Sequence, residues 1–206
     1  MPDMTKNSVF FVTKTKEEGD ALVAALRGRD ASGRETCFTF QSIIPRPPEF
    51  DIRTTADDEN AALFLKRFPD GRAPEGTAVP TDESLAKGRR LLENERRFGV
   101  RTGLAWAFVN WGTKWDAQSP TVDRCDDTHI RLDFSTAWNP PFGVADEMKL
   151  RFGEALVAWL YADAAERRLP EVFDEVEELA EFDAEDFQTE VWQLLPLPDA
   201  EDEEDD

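Results

Sequence analysis

The chain has little of what most catalytic and metal sites are built from. Its 206 residues include one histidine, His129, and two cysteines, Cys37 and Cys125. A single histidine excludes a multi-histidine metal site. Any Ser-His-Asp or Cys-His arrangement would have to use His129 itself. That residue stands inside a predicted strand, where an exposed or hydrogen-bonded side chain is the ordinary reading. The cysteines lack Cys-x-x-Cys spacing, which argues against zinc. They read as reduced thiols of an intracellular protein, although both lie on predicted strands and a pairing between them stays open. No Gly-x-Gly-x-x-Gly or phosphate-loop pattern occurs. Asp123, Asp126 and Asp127 lack the spacing and closing Glu of an EF-hand, so a turn rich in Asp is the simpler reading. No cofactor is implied. Long apolar runs are missing too: none approaches the ~18 residues that span a bilayer. Met1 to Asn7 has no apolar signal-peptide core. Together these absences predict a cytoplasmic protein without membrane contact.

Positive charge is also scarce, with 24 Lys and Arg against 44 Asp and Glu, a net charge of −20. Bulk charge therefore argues against direct binding to nucleic acid. The deficit is local. Residues 1–161 hold 25 acids and 22 bases, a net of −3, and residues 162–206 hold 19 acids and two bases, a net of −17. Residues 199–206 are almost pure acid and are expected to form a disordered tail. Between Glu171 and Ala180, Val172, Phe173, Val176, Leu179 and Ala180 follow helical spacing. Glu171, Asp174, Glu175, Glu177 and Glu178 fill the opposite arc, which predicts an amphipathic helix with an acidic face. Such a face suits either plain solvation or a partner protein with a basic surface.

What is present is enough for a core. The chain is 40% hydrophobic, with 15 Phe and six Trp. Ser8 to Thr13 reads as a strand and Lys16 to Arg27 as a helix. Thr36 to Ile44 alternates and reads as a second strand, ended by the prolines at 45, 47 and 48. Helices are predicted over Asp57 to Phe68 and from Thr81 or Asp82 to Phe98, where Gly99 is the stop. On the longer helix Leu85, Leu91, Leu92 and Phe98 share an arc. Glu93 is placed to serve Arg89 and Arg97 by i, i+4 spacing, which leaves Lys87, Arg90 and Arg96 as a free basic face. Thr121 to Cys125 and His129 to Phe134 read as a hairpin, with Leu132 and Phe134 facing in. Val144 to Phe152 reads as a helix and Ala155 to Ala162 as a buried strand. The order is β-α-β, a helical insertion, then β-α-β, which is the ferredoxin-like α+β pattern. The predicted organisation is a domain over 1–162 with an insertion at about 55–110, an acidic, partly helical extension over 163–198, and the tail.

Three segments then carry a family resemblance. Ile43-Ile44-Pro45-Arg46-Pro47 resembles the turn after the second strand of the YubB ferredoxin-like domain family, which occurs in phage and conjugative-plasmid proteins; Met is commoner there at the position of Arg46. Asn110-Trp111-Gly112-Thr113-Lys114-Trp115-Asp116-Ala117 resembles that family's most characteristic block. Phe134-Ser135-Thr136-Ala137-Trp138-Asn139-Pro140-Pro141 resembles a second block, and Asn7 is similar too. The resemblance spans about residues 7–162. It implies the fold and a mobile-element setting in a bacterial host cell, and supplies no activity. The Cys-containing start common in the family is absent, and the acidic module replaces its Gly-rich end.

Two functions follow as expectations. The first is a non-enzymatic accessory protein of a phage or plasmid that binds a host or element-encoded protein. Its narrower form is a DNA-mimicking antagonist of a host nuclease or defence complex. The second is a ligand-binding protein or enzyme with a pocket of Trp111, Trp115 and Trp138, edged by Asn110, Lys114 and Asp116. The same six residues also suit an aromatic clasp that fixes the insertion to the sheet.

Overall fold

A computed structural model describes residues 3–163 and 171–172. The chain divides into two units, Met1–Val172 and Phe173–Asp206, and every described residue lies in the first. Asp174, Glu175, Glu177 and Glu178 of the expected acidic face lie outside the described residues. Glu171 is not helical. Glu171–Val172 forms a two-residue strand against Leu160 and Tyr161.

The sheet contains β1 (Met4–Val12), β4 (Gln118–Arg124), β5 (His129–Ala137), β6 (Leu156–Asp163) and the short β7 (Glu171–Val172). Their order is β4-β5-β1-β6-β7, and all neighbours are antiparallel. With helices on the crossovers, this α+β arrangement is consistent with the ferredoxin-like class. The side chains alternate as a half-buried sheet requires. Val9 and Phe11 of β1 are buried with Ile130, Leu132 and Phe134 of β5. Against that face pack α6 (Phe142–Phe152), through Phe152 on Phe11, and α2 (Phe40–Ile43), through Phe40 on Phe134.

The predicted second strand, Thr36 to Ile44, is the main correction. Only Glu35–Thr36 (β3) pairs, and its partner is Gly28–Arg29 (β2), a small ribbon apart from the main sheet. The alternation at Phe38 and Phe40 is real, since both are buried, but it serves an irregular segment that plugs the core. Thr39 then caps α2 by accepting from the Gln41 amide. The strand that fills the second topological place is β4. The helical insertion therefore lies inside the first crossover, between α1 (Lys16–Leu26) and β4.

That insertion contains α3 (Ala56–Arg67), α4 (Asp82–Phe98) and α5 (Gly103–Asn110). Thr55 and Asp58 form a capping box at the start of α3, and Thr81 caps α4. Gly99 ends α4 in the left-handed region. The buried side of α4 is Leu85, Gly88 and Leu91, with Leu92 and Phe98 partly covered. Its basic side differs from expectation. Lys87 pairs with Glu83 at 3.0 Å and approaches Asp58 at 3.7 Å. Arg96, not Arg97, takes Glu93, at 2.6 Å, and Arg97 reaches Glu49. Of the predicted free face only Arg90 makes no ion pair among the described residues. A helix can satisfy its cations three residues away or across to a neighbouring element, which i, i+4 spacing alone overlooks.

Candidate functional site

Segment 110–117 leaves α5 and runs back to the sheet, and a polar network fixes its course. Asn7 is buried in the middle of β1. Its amide donates to Thr136 Oγ1 at 3.1 Å and accepts from Trp159 Nε1 at 3.2 Å. Thr5 donates to the Trp138 carbonyl at 2.7 Å, and Thr136 donates to the Asn139 carbonyl at 2.8 Å. Thr113 donates to the Ala137 carbonyl at 2.9 Å. These bonds hold the end of β5 and the turn that follows. They also hold Trp138 at φ 69°, a backbone value that side chains other than glycine seldom adopt.

The structure separates the six candidate residues by role. Trp111 is 2% exposed and donates its indole N–H to the Ile44 carbonyl at 3.0 Å. It meets Phe40 and Trp106 edge-on at 5.6 and 5.4 Å, so it belongs to the core. Asn110 donates to the Trp106 carbonyl and closes α5. Gly112 then turns at φ 84°, and a Cβ there would stand 2.8 Å from the Phe142 amide. Asp116 is a strut. Its carboxylate accepts from the Thr39 hydroxyl at 2.5 Å, the Phe40 amide at 2.6 Å and the Ala117 amide at 2.8 Å. Burial pushes this carboxyl above its ordinary value, and those three donors and the Arg46 charge only partly oppose the rise.

Lys114, Trp115 and Trp138 form a different arrangement. The Lys114 ammonium lies 4.9 Å from the centre of the Trp115 ring and 4.8 Å from that of Trp138. Both indoles are partly open, at 40% and 43% exposure. Trp138 stacks in turn on Phe108, at 6.2 Å and nearly parallel. Lys114 makes no ion pair with a carboxylate among the described residues. The rings attract its charge and fix its position without neutralising it.

Beside this clamp is a cleft of about 1260 Å³. One wall is the β2–β3 ribbon and its tip, with Arg29, Asp30 and Arg34. The other is Lys114 to Pro120, and Thr39, Gln41, Arg46 and Asp51 form part of the lining. Trp111, Lys114, Trp115 and Asp116 line it, whereas Asn110 and Trp138 do not. At the tip, Asp30 accepts from Ser32 and Arg34, which holds its carboxyl down at about 2. Arg29 pairs with Glu35 at 3.3 Å. Arg46 donates to Asp51 at 2.6 Å, while its Nε is buried and has no hydrogen-bond partner. The sequence does not mark these cleft arginines, because Arg29 and Arg34 come from the β2–β3 ribbon and Arg46 from the loop after α2. No period links Arg29, Arg34 and Arg46, and only the fold gathers them.

The remaining candidates have local roles. His129 faces Asp126 at 2.8 Å, and Asp126 also accepts from the Thr128 and His129 amides, so it closes the β4–β5 turn. Asp127 pairs with Lys16 and Asp123 approaches Arg131, so the three aspartates point to different partners. Cys37 and Cys125 are free thiols. Among the described residues, no helix is long and apolar enough to cross a membrane.

No family model and no curated protein matches the chain. A solved structure of protein api92 from Yersinia pseudotuberculosis, family-model DUF1281, is similar at 12% identity and a TM-score of 0.44. The similarity covers 84% of this chain and 93% of that one.

Proposed function

We propose that this protein acts by binding rather than by catalysis, and that the cleft is its binding site. The observation that carries this reading is the state of Lys114, a charge fixed by two indoles and left unneutralised at the edge of a concavity. Pockets that hold ligands combine such a concavity with a few convergent polar groups. A general base is harder to find. Asp116 is the buried carboxylate of the cleft, and its oxygens already accept from Thr39, Phe40 and Ala117. A thermal-shift screen of small molecules tests the reading. Some compound should raise the Tm of the wild type and leave that of a Lys114→Ala/Trp115→Ala variant unchanged. The variant itself should melt close to the wild type. Equal shifts in both proteins, or none in either, contradict the cleft as the site.

A second reading places protein–protein contact in the acidic segment. The net −17 of residues 162–206 favours it. The YubB resemblance adds a phage or plasmid accessory role in the bacterial cytoplasm, with a DNA-mimicking antagonist of a host nuclease or defence complex as its narrower form. Full-length protein should capture a basic partner from host lysate at low salt and release it at high salt. Changing Asp174, Glu175, Glu177 and Glu178 to their amides should abolish the capture. Unchanged capture by that variant overturns this reading.

A further inference from the structure

The cleft also defines what it would hold. We propose that it binds a nucleoside phosphate, with the phosphate at Lys114 and Arg46 and the base against Trp115. This rests on the reading of the cleft as a binding site and names its ligand class.

Three observations converge. The first is an excess of unmet donors over acceptors. Lys114 brings three N–H groups and no ion-pair partner, and Arg46 Nε is buried without a bond. Arg46 Nε itself is covered, so a ligand meets the Arg46 charge through the rest of its side chain, which is 29% exposed. The carboxylates of the cleft do not meet this need. Asp116 is bonded to Thr39, Phe40 and Ala117, Asp30 to the ribbon tip, and Asp51 only to the Nη2 edge of Arg46. The second observation is pre-organisation. Lys114 is held from two sides by rings, so it loses little freedom when an anion arrives. An anion bound there keeps the cation–π contacts, because the rings touch the charge without consuming it. The third is the open indole. Trp115 lines the cleft and is 40% exposed, which offers a flat apolar surface to a planar ring. The cleft, at about 1260 Å³, exceeds the ~300–1,000 Å³ of ordinary small-molecule sites, so size does not exclude a nucleotide. An extended nucleic acid carries the same chemistry. The proposal commits to the free nucleotide, because the net −17 of residues 162–206 repels a polyanion more than a mononucleotide.

The test is a set of tryptophan-fluorescence titrations of the full chain. The probes are AMP, GMP, CMP and UMP, with adenosine, inorganic phosphate and a 12-nucleotide single strand as further arms. At least one mononucleotide should quench saturably, and phosphate alone and adenosine alone should bind more weakly. Lys114→Gln and Arg46→Met should each weaken that mononucleotide about tenfold or more, and Trp115→Leu should weaken it several-fold. Arg90→Gln, on α4, should leave it unchanged. Circular dichroism of each variant separates lost binding from lost fold. Binding by adenosine that is insensitive to Lys114→Gln overturns the phosphate assignment and leaves the cleft as a site. Binding by the single strand but by no mononucleotide overturns the free-nucleotide assignment. No saturable quenching in any arm, with the thermal screen also silent, overturns both the ligand class and the site.

Discussion

The α3–α4 hairpin and the cleft both collect basic side chains, and they differ in how an unpaired one is held. On the hairpin four cations are in ion pairs, and Arg67, Arg72, Arg89 and Arg90 make none among the described residues. Lys66 and Arg101 share Glu95, Arg97 takes Glu49, Arg96 takes Glu93, and Lys87 takes Glu83. In the cleft Arg29, Arg34 and Arg46 are paired, and Lys114 lacks a counter-ion while two indoles hold it in place. Basic density along a sequence therefore points to the hairpin, and an unpaired charge fixed in place beside a concavity points to the cleft. Exposed pairs contribute little each and are screened by salt. An unneutralised cation in a concavity is the one available to a ligand.

Substitutions can break this contrast at several strengths. The largest effect should come from Asp116→Ala. It removes the strut of α2 and leaves the Thr39 hydroxyl and the Phe40 amide without their acceptor. A loss of about 2–3 kcal/mol is expected, read as a lower denaturant midpoint. A near-neutral result would mean that Asp116 is held for ligand chemistry, not for the fold. Next is Gly88→Ala on α4. Its new Cβ would stand 2.8 Å from the Ala62 amide, so the hairpin must spread. About 1–3 kcal/mol should be lost although alanine is the better helix former. Lys114→Gln should fall within about 0.5 kcal/mol of wild type in stability while losing binding, because its charge supports no buried carboxylate. The smallest effect should come from Glu95→Gln. Lys66 foremost, with Arg101, holds the Glu95 carboxyl below its ordinary value of 4.5. A lowered folded pKa gives stability that is full above 4.5 and lost as pH falls through the folded value. Acid melts from pH 6 to 3 should therefore be slightly less steep for Glu95→Gln than for wild type.

Much of the frame was legible from the amino-acid order. Alternation at 8–13 and 129–134, and helical spacing at 57–68 and 82–98, come from side chains that face one continuous core. Those signals survive in the sheet and in the hairpin. The segment 36–44 misled because Phe38 and Phe40 alternate for a local reason: they plug the core while Thr39 and Asp116 start a helix. A bond from residue 116 to residue 39 leaves no mark on the local pattern. The candidate site was half visible. The spacing of Trp111, Lys114, Trp115 and Asp116 marked a turn that lines the cleft. It did not show that Trp111 and Asp116 are tied into the fold by their own hydrogen bonds while Lys114 and Trp115 stay open to the cleft. Residues four apart on an irregular turn need not share a face, and Gly112 at φ 84° redirects the chain between the two tryptophans. Arg29 and Arg34 reach the cleft from the short β2–β3 ribbon and Arg46 from the loop after α2, where no periodicity exists to be read.

The comparison between hairpin and cleft is tested most directly by titrating one mononucleotide into three full-length proteins: wild type, Lys114→Gln and Arg90→Gln. Each removes at most one positive charge that lacks an ion pair among the described residues. The account predicts saturable binding to wild type and Arg90→Gln with equal affinity, and binding about tenfold or more weaker to Lys114→Gln. Equal affinity for all three proteins, or a loss in Arg90→Gln as large as in Lys114→Gln, would contradict it.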